Sequence, residues 1–231
     1  MKTVALSILL LLAGVVQSGE RRQVPHELFG VSLGAIVSVD PDAEDRLIGL
    51  PAVQIKSAER FLGHGIHVYF KPAKEYSGFP YIERSKDKSD PFPKTNFRLY
   101  LLPIVPDTVT TSEQLKDLTD SKGLEFEIVL IEWHRDSEDE RPERDAYINA
   151  RHLCATFSLD LVVEPEIYNQ ILEDWHTYTC EFEQGDRVFR VAGQYGATRV
   201  SLEDKEEIAE SKHSALEQKF KRLELESIRP Y

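Results

Sequence analysis

The chain has 231 residues, of which 41% are hydrophobic and 29% charged, a composition typical of a folded globular protein rather than a disordered one. Its 40 acidic residues outnumber the 28 basic ones, which gives a formal net charge of -12 at neutral pH. Such a surface repels nucleic-acid phosphates, so nucleic acid is excluded as the expected partner.

Residues 1–18 have the pattern of a secretory signal peptide. Lys2 supplies a positive charge, an apolar run extends from Val4 to Val16, and Val16-Gln17-Ser18 precedes Gly19 as a cleavage site. The run is shorter than the about 20 residues that a membrane-spanning helix needs. We therefore expect a secreted or periplasmic protein with no membrane contact after cleavage. Retention as an N-terminal anchor is the alternative, because two arginines follow the run closely.

Three segments of the central chain predict strands. Ile66–Phe70 and Phe97–Val105 alternate apolar with more polar residues, as half-buried strands do. Leu124–Trp133 begins with the same alternation and then becomes apolar on both faces, which favours a strand that ends under a helix. Residues 85–94 are rich in lysine, serine, aspartate and proline, which predicts a solvated loop and the one acceptable subdomain boundary.

Two helices are predicted between these strands and the C-terminal region. Thr111 and Gln114 have the spacing of a capping box, which marks the start of a short helix. Pro165 stands where the first residue of a second short helix is expected. The apolar residues that recur at helical spacing after it are Ile167, Ile171, Leu172 and Trp175.

The second helix is flanked by two strand patterns, Phe157–Val163 and Thr177–Phe182. We interpret residues 156–183 as a β-α-β unit, whose right-handed crossover makes the two strands parallel. That topology brings Cys154 close to Cys180. In an oxidising compartment an even pair of cysteines is typical of a disulfide, although two free thiols remain the alternative.

The C-terminal part predicts a hairpin turn at residues 184–186 and a long amphipathic helix over roughly 203–226. That helix either packs on its own domain or binds a partner. The expected architecture is α+β, a mostly antiparallel sheet with one β-α-β insertion, two short helices and the long C-terminal helix. The expected organisation is a signal peptide at 1–18, a single α+β domain at 19–202 and the C-terminal helix and tail at 203–231.

Two histidine-containing patterns are candidates for metal or acid-base chemistry. His64 and His67 are three residues apart, and a turn at Gly65 would be needed to bring both to one zinc ion. Glu132 and His134 are two residues apart, so on a strand they share one face, which suits chelation or proton transfer. The alternative for both pairs is that they belong to an ordinary strand or turn surface and have no functional role.

Motifs for several enzyme classes are missing from the sequence: the Gly-x-Ser-x-Gly elbow, His-Glu-x-x-His, the Walker loop and the dinucleotide fingerprint. No cofactor is predicted, and the sequence does not define an oligomeric state. Two hypotheses follow. The first is a non-enzymatic protein-binding module of the acidic inhibitor or immunity type, directed at a basic protein partner. The second is a metal-assisted hydrolase that uses Glu132 and His134 with a further histidine.

Overall fold

The fold is α+β with antiparallel sheets, as the sequence predicted. Twelve strands and three helices lie within the described residues, and every strand pairing among those residues is antiparallel. The computed structural model describes residues 23–39, 47–50, 54–60, 65–71, 95–121, 123–137, 140–161, 166–172 and 175–223.

The elements follow each other along the chain in three groups. Seven strands come first: β1 (Glu27–Leu28), β2 (Val31–Ser32), β3 (Ile36–Val39), β4 (Leu47–Ile48), β5 (Gln54–Arg60), β6 (Ile66–Lys71) and β7 (Thr95–Ile104). Helices and one strand alternate next: α1 (Ser112–Asp120), β8 (Glu125–Asp136) and α2 (Pro142–Leu161). The last group is β9 (Glu166–Leu172), β10 (Trp175–Gln184), β11 (Arg187–Gln194), β12 (Ala197–Asp204) and α3 (Glu206–Arg222).

Ten of the strands form one large sheet in the order β5-β6-β7-β8-β12-β11-β10-β9, with β3 joined to β8 and β4 joined to β3. The predicted strands at 66–70, 97–105 and 124–133 correspond to β6, β7 and β8. The predicted hairpin at 184–186 joins β10 to β11, where Gly185 adopts a positive φ of 60°. Strands β8 and β12 therefore lie at the centre, and β5 and β9 lie at the two ends.

One face of this sheet carries a continuous stretch of the core. A row of apolar residues in register crosses six neighbouring strands, and all of its members are buried. The row consists of Val68, Leu99, Ile131, Leu202, Phe189 and Phe182. Because successive residues of a strand point to opposite faces, the neighbours of these residues in sequence occupy the other face.

Helix α2 covers the core face across β10, β11 and β12. Gly193 permits a close approach, since a Cβ added there would lie 2.3 Å from the Ala146 carbonyl oxygen and 2.9 Å from the Ala150 Cβ. The predicted disulfide is confirmed: Cys154 of α2 is bonded to Cys180 of β10, and their Cα atoms are 6.3 Å apart. The bond ties the helix to the sheet.

The predicted β-α-β unit is wrong. Residues 157–161 continue α2, and residues 166–172, expected as a helix, form strand β9. Strand β9 is antiparallel to β10. Of the two predicted short helices, the one that begins after Thr111 is confirmed as α1, and the one expected after Pro165 is wrong. Helix α2, with 20 residues, was not predicted. The cysteines do approach each other, but through a helix lying on a strand rather than through two parallel strands.

Helix α3 lies on the face opposite α2, against the end of β7. Its His213 ring stacks on Tyr100 with ring centroids 5.9 Å apart, and Lys212 donates hydrogen bonds to Glu127 and Asp204. Leu216 and Phe220 are buried. The helix lies within the predicted range. The predicted helix end and tail at 224–231, the signal peptide at 1–18 and the loop at 85–94 lie outside the described residues.

Candidate functional site

A row of polar residues occupies the centre of the sheet on the face opposite the core. We call it the polar row; it crosses β6, β7, β8, β12, β11 and β10 in register. Its members are Tyr69, Arg98, Glu132, Ser201, Arg190 and Glu181. Each member follows or precedes a residue of the apolar row, so the alternation of the strands itself produces this arrangement.

Glu132 is paired with Arg98 within the polar row. The Arg98 Nη2 donates a hydrogen bond of 2.6 Å to the Glu132 Oε1. Only 7% of the Glu132 side chain and 23% of the Arg98 side chain are exposed. A carboxylate this buried is stable only with a cation or hydrogen-bond donors beside it, and Arg98 meets that need.

A second ion-pair cluster lies beside the first. Arg190 donates to Glu181 Oε1 over 2.6 Å and to Glu203 Oε1 over 2.5 Å. Burial raises the pKa of the Glu203 carboxyl; Arg190 opposes this shift, and the carboxylates of Glu132 and Glu181 add to it. The two clusters thus form one electrostatic network in which carboxylates outnumber guanidinium groups.

His134 shares a face of β8 with Glu132, as expected, but both of its ring nitrogens are engaged. The Arg199 Nε donates to His134 Nδ1 over 3.2 Å, and His134 Nε2 lies 2.8 Å from Asp136 Oδ1. Because an arginine can only donate, Nδ1 is the acceptor and the proton is on Nε2, which donates to Asp136. In this neutral tautomer the Nδ1 lone pair accepts the hydrogen bond from Arg199 and Nε2 carries the proton, so neither nitrogen is available to bind a metal ion.

The other predicted metal ligands are His64 and His67. His64 lies outside the described residues. His67 is half-buried in β6, and its ring lies against Tyr100 with centroids 4.7 Å apart. Within the part of the chain that the structure describes, no group of three or more His, Cys, Asp or Glu side chains is placed to hold a metal ion.

An acidic surface lies where strand β10 turns into β11 and where β12 leads into α3. We call it the acidic patch. Its exposed carboxylates are Glu183, Asp186, Glu206, Glu207 and Glu210. The pairing of Arg187 with Asp204 brings the hairpin next to the end of β12, from which α3 begins.

Lys205 is the cation at the centre of the acidic patch. Its Nζ lies 2.7 Å from Glu183 Oε2, and its backbone N–H donates to the Asp186 carbonyl over 2.9 Å. The hydrogen bond with Glu183 raises the pKa of the Lys205 ammonium, and the charges of Glu207 and Asp186 contribute. Five exposed carboxylates outnumber the two basic residues beside them, Lys205 and Arg187, which leaves a negative surface.

Sequence reasoning found the acidic excess of the chain but not this patch. Its members come from a hairpin and a helix that are about twenty residues apart along the chain, and they are brought together by the pairing of β11 with β12 and by the contacts of Lys205. The sequence signal that could have indicated the acidic patch is the group of acidic residues in the first turns of the predicted C-terminal helix, Glu206, Glu207 and Glu210.

Comparison with protein-family models, with curated proteins and with solved structures finds no significant match to this chain. No helix among the described residues is long and apolar enough to cross a membrane.

Proposed function

We propose that this chain is an exported, non-enzymatic protein-binding module that binds a basic protein through the acidic patch, in the manner of an inhibitor or immunity protein. The supporting observation is the set of five exposed carboxylates on the β10–β11 hairpin and the first turns of α3, three of which, Glu183, Glu207 and Asp186, act on Lys205. Exposed charge of one sign steers a partner of opposite sign and accelerates its association. The paired strands β10 and β11 and the start of α3 present these carboxylates on one surface, which favours recognition of a defined partner surface.

Export is supported by two independent features. The first is the signal-peptide pattern of residues 1–18, and the second is the Cys154–Cys180 disulfide, which persists in oxidising compartments such as the periplasm or the extracellular space. An exported domain with an acidic surface would meet a basic secreted enzyme in the same compartment and attract it by its charge.

The second candidate, a metal-assisted hydrolase, has less support. Glu132 is held by Arg98, and His134 is held between Arg199 and Asp136. A general base or metal ligand at either position would first have to break an ion pair or hydrogen bond on a mostly buried face. Stoichiometric zinc in the purified, dialysed chain, lost on changing Glu132→Gln or His134→Ala, would favour the hydrolase instead.

The binding function is tested by affinity capture from extracts of the producing organism at low salt, about 50 mM, and at high salt, about 500 mM. We expect one stoichiometric basic protein that is retained at low salt and weakened at high salt. A triple variant, Glu206→Gln, Glu207→Gln and Glu210→Gln, should lose this protein.

The control is the triple variant Glu113→Gln, Asp117→Asn and Glu140→Gln, which removes three exposed carboxylates elsewhere, one of them in a first helical turn. It should retain the partner because its acidic patch is intact. Since the total charge changes equally in both variants, a difference between them reports the position of the removed carboxylates. Equal loss in the two variants would contradict the acidic patch as the binding surface, and no retained protein at either salt would contradict the binding function.

A further inference from the structure

A groove lies between the end of β7 and helix α3. It has a volume of about 480 Å³, and residues 102–105 form its wall on the strand side. The helix wall is formed by residues that recur at helical spacing: Lys212, Ala215, Leu216, Lys219 and Arg222. With a rise of about 1.5 Å per residue, this stripe of α3 is about 15 Å long. The groove is therefore elongated and follows the helix axis.

The middle of the groove is apolar. Leu102 and Ile104 lie on the face of β7 turned towards α3, because Glu127, which stands opposite Leu102, is bound by that helix. Ala215 and Leu216 line the groove from the helix side. Leu102 and Leu216 are buried, whereas Ala215 is exposed, so the groove is open to solvent along α3. Aliphatic side chains on both walls suit a hydrocarbon chain, since burial of methylene groups contributes most of the affinity in such a site.

The charge is compensated at one end of the groove. There the Lys212 ammonium donates hydrogen bonds of 2.6 Å to both Glu127 and Asp204. One cation between two carboxylates leaves no positive charge for a ligand at this end.

The other end of the groove has an excess of positive charge. Lys219 donates hydrogen bonds to the Val105 carbonyl and to Asp107. The hydrogen bond from Lys219 lowers the pKa of the Asp107 carboxyl, and the charges of Lys219 and Arg222 contribute. Arg222 is exposed and forms no ion pair with any residue that the structure describes. With Lys221 in the same helical turn, three cations stand against one carboxylate, in a chain whose net charge is -12.

We propose that this groove binds a linear aliphatic carboxylate, with its hydrocarbon chain between β7 and α3 and its carboxylate at Arg222. A guanidinium binds a carboxylate through two parallel N–H donors, which gives this end both charge and geometry for the ligand. With carbon–carbon bonds of about 1.5 Å, a chain of about ten carbons extends over most of the groove. The site is separate from the acidic patch, which includes the first turns of the same helix.

A peptide strand added to the edge of β7 is less suitable as the occupant. Among the described residues, the pairing of β6 with β7 ends at Leu101, so the edge of β7 beyond it has no strand neighbour. Pro103 has no N–H to donate there, and Lys219 already binds the Val105 carbonyl. The backbone at this edge therefore offers too few hydrogen bonds for an added strand.

The first test is isothermal titration calorimetry of the full chain with hexanoate, octanoate and decanoate at neutral pH and low salt. We expect saturable binding of one decanoate per chain. The Kd should decrease about three- to fourfold for each added methylene group, because each one is buried between the two apolar walls. Absence of saturable decanoate binding, or a Kd independent of chain length, would overturn the proposal.

Two variants at exposed positions place the ligand in the groove. Ala215→Trp fills the groove and should abolish decanoate binding, and Arg222→Gln should weaken it about tenfold through loss of the charge-assisted hydrogen bonds. The matched control is Lys221→Gln, which removes the same charge from the same turn of α3 but does not line the groove, and should change the Kd less than twofold. Circular dichroism verifies that each variant is folded.

The variants also define the results that contradict the site. Unchanged decanoate binding by the folded Ala215→Trp chain would show that the ligand binds elsewhere. Equal weakening by Arg222→Gln and Lys221→Gln would show that the carboxylate responds to the overall charge of the helix end and is not held at Arg222.

Discussion

Arg98 and Glu132 form an ion pair at the centre of the sheet, with the Arg98 Nη2 2.6 Å from the Glu132 Oε1. The two residues stand opposite each other on β7 and β8, and the apolar pair Leu99 and Ile131 stands next to them on the other face. The strands therefore carry the core on one face and an ion-pair network on the other. Because Glu132 is only 6% exposed, its charge depends on Arg98 rather than on water.

Arg98→Met should destabilise the fold by about 3–5 kcal/mol, because it leaves the buried Glu132 carboxylate without its cation. The free energy of unfolding from urea titration measures this effect. The double variant Arg98→Met, Glu132→Met should recover most of the loss, because no buried charge remains unpaired. A loss below about 1 kcal/mol in the single variant would show that water, not Arg98, compensates Glu132.

Replacing both Cys154 and Cys180 by alanine should lower the free energy of unfolding by roughly 3–4 kcal/mol, the value expected for opening a loop of this length. Urea titration with and without reductant provides the measurement and its control. The unmodified chain should lose a similar amount on reduction, and the double variant should not respond to reductant. Equal stability of the oxidised and reduced chains would contradict a structural role for this disulfide.

The strands that the sequence predicted best are those with one buried and one polar face. In β6 the alternation of Val68 and Phe70 with Tyr69 is visible in the sequence because two environments alternate along the strand. The capping box of α1 was predicted for a similar reason, since Thr111 and Gln114 satisfy backbone groups locally and need no distant partner. Both signals are local, so they can be read without knowledge of the fold.

Strand β9 was mistaken for a helix because Ile167, Ile171 and Leu172 fit a helical period as well as a strand. What decides the outcome is pairing with β10, a tertiary interaction that overrides local spacing. The partners of the candidate site residues could not be predicted for the same reason. Glu132 and His134 do share a face, but their partners Arg98 and Arg199 come from β7 and β12, which no local pattern could reveal.

Gly193→Ala should destabilise the fold by about 3 kcal/mol or more, because the new Cβ would push α2 away from β11. The contact is with backbone, the Ala146 carbonyl oxygen at 2.3 Å, and cannot be relieved by rotating a side chain. Thermal unfolding measures the loss. The control is Gly185→Asn, where φ is +60° but nothing lies within 4 Å of an added Cβ, and asparagine tolerates this conformation. Equal losses in the two variants would contradict the tight packing of α2.

Glu203 should contribute more to the stability of the fold in mild acid than at neutral pH. Burial raises the pKa of its carboxyl above the unfolded value, so the folded state binds the proton more tightly. The stabilisation is fully present below the unfolded pKa of about 4.3 and is lost as the pH rises through the raised folded pKa.

The measurement is the free energy of unfolding of the unmodified chain minus that of Glu203→Gln, from about pH 4 to about pH 7. This difference should fall as the pH rises, since the variant keeps a neutral side chain at every pH while Glu203 becomes charged beside Glu132 and Glu181. Glu113→Gln, an exposed position on α1, serves as the control for pH effects common to all variants. A difference that rises with pH would mean that Arg190 outweighs burial and that the ion pair, not the neutral acid, stabilises the sheet.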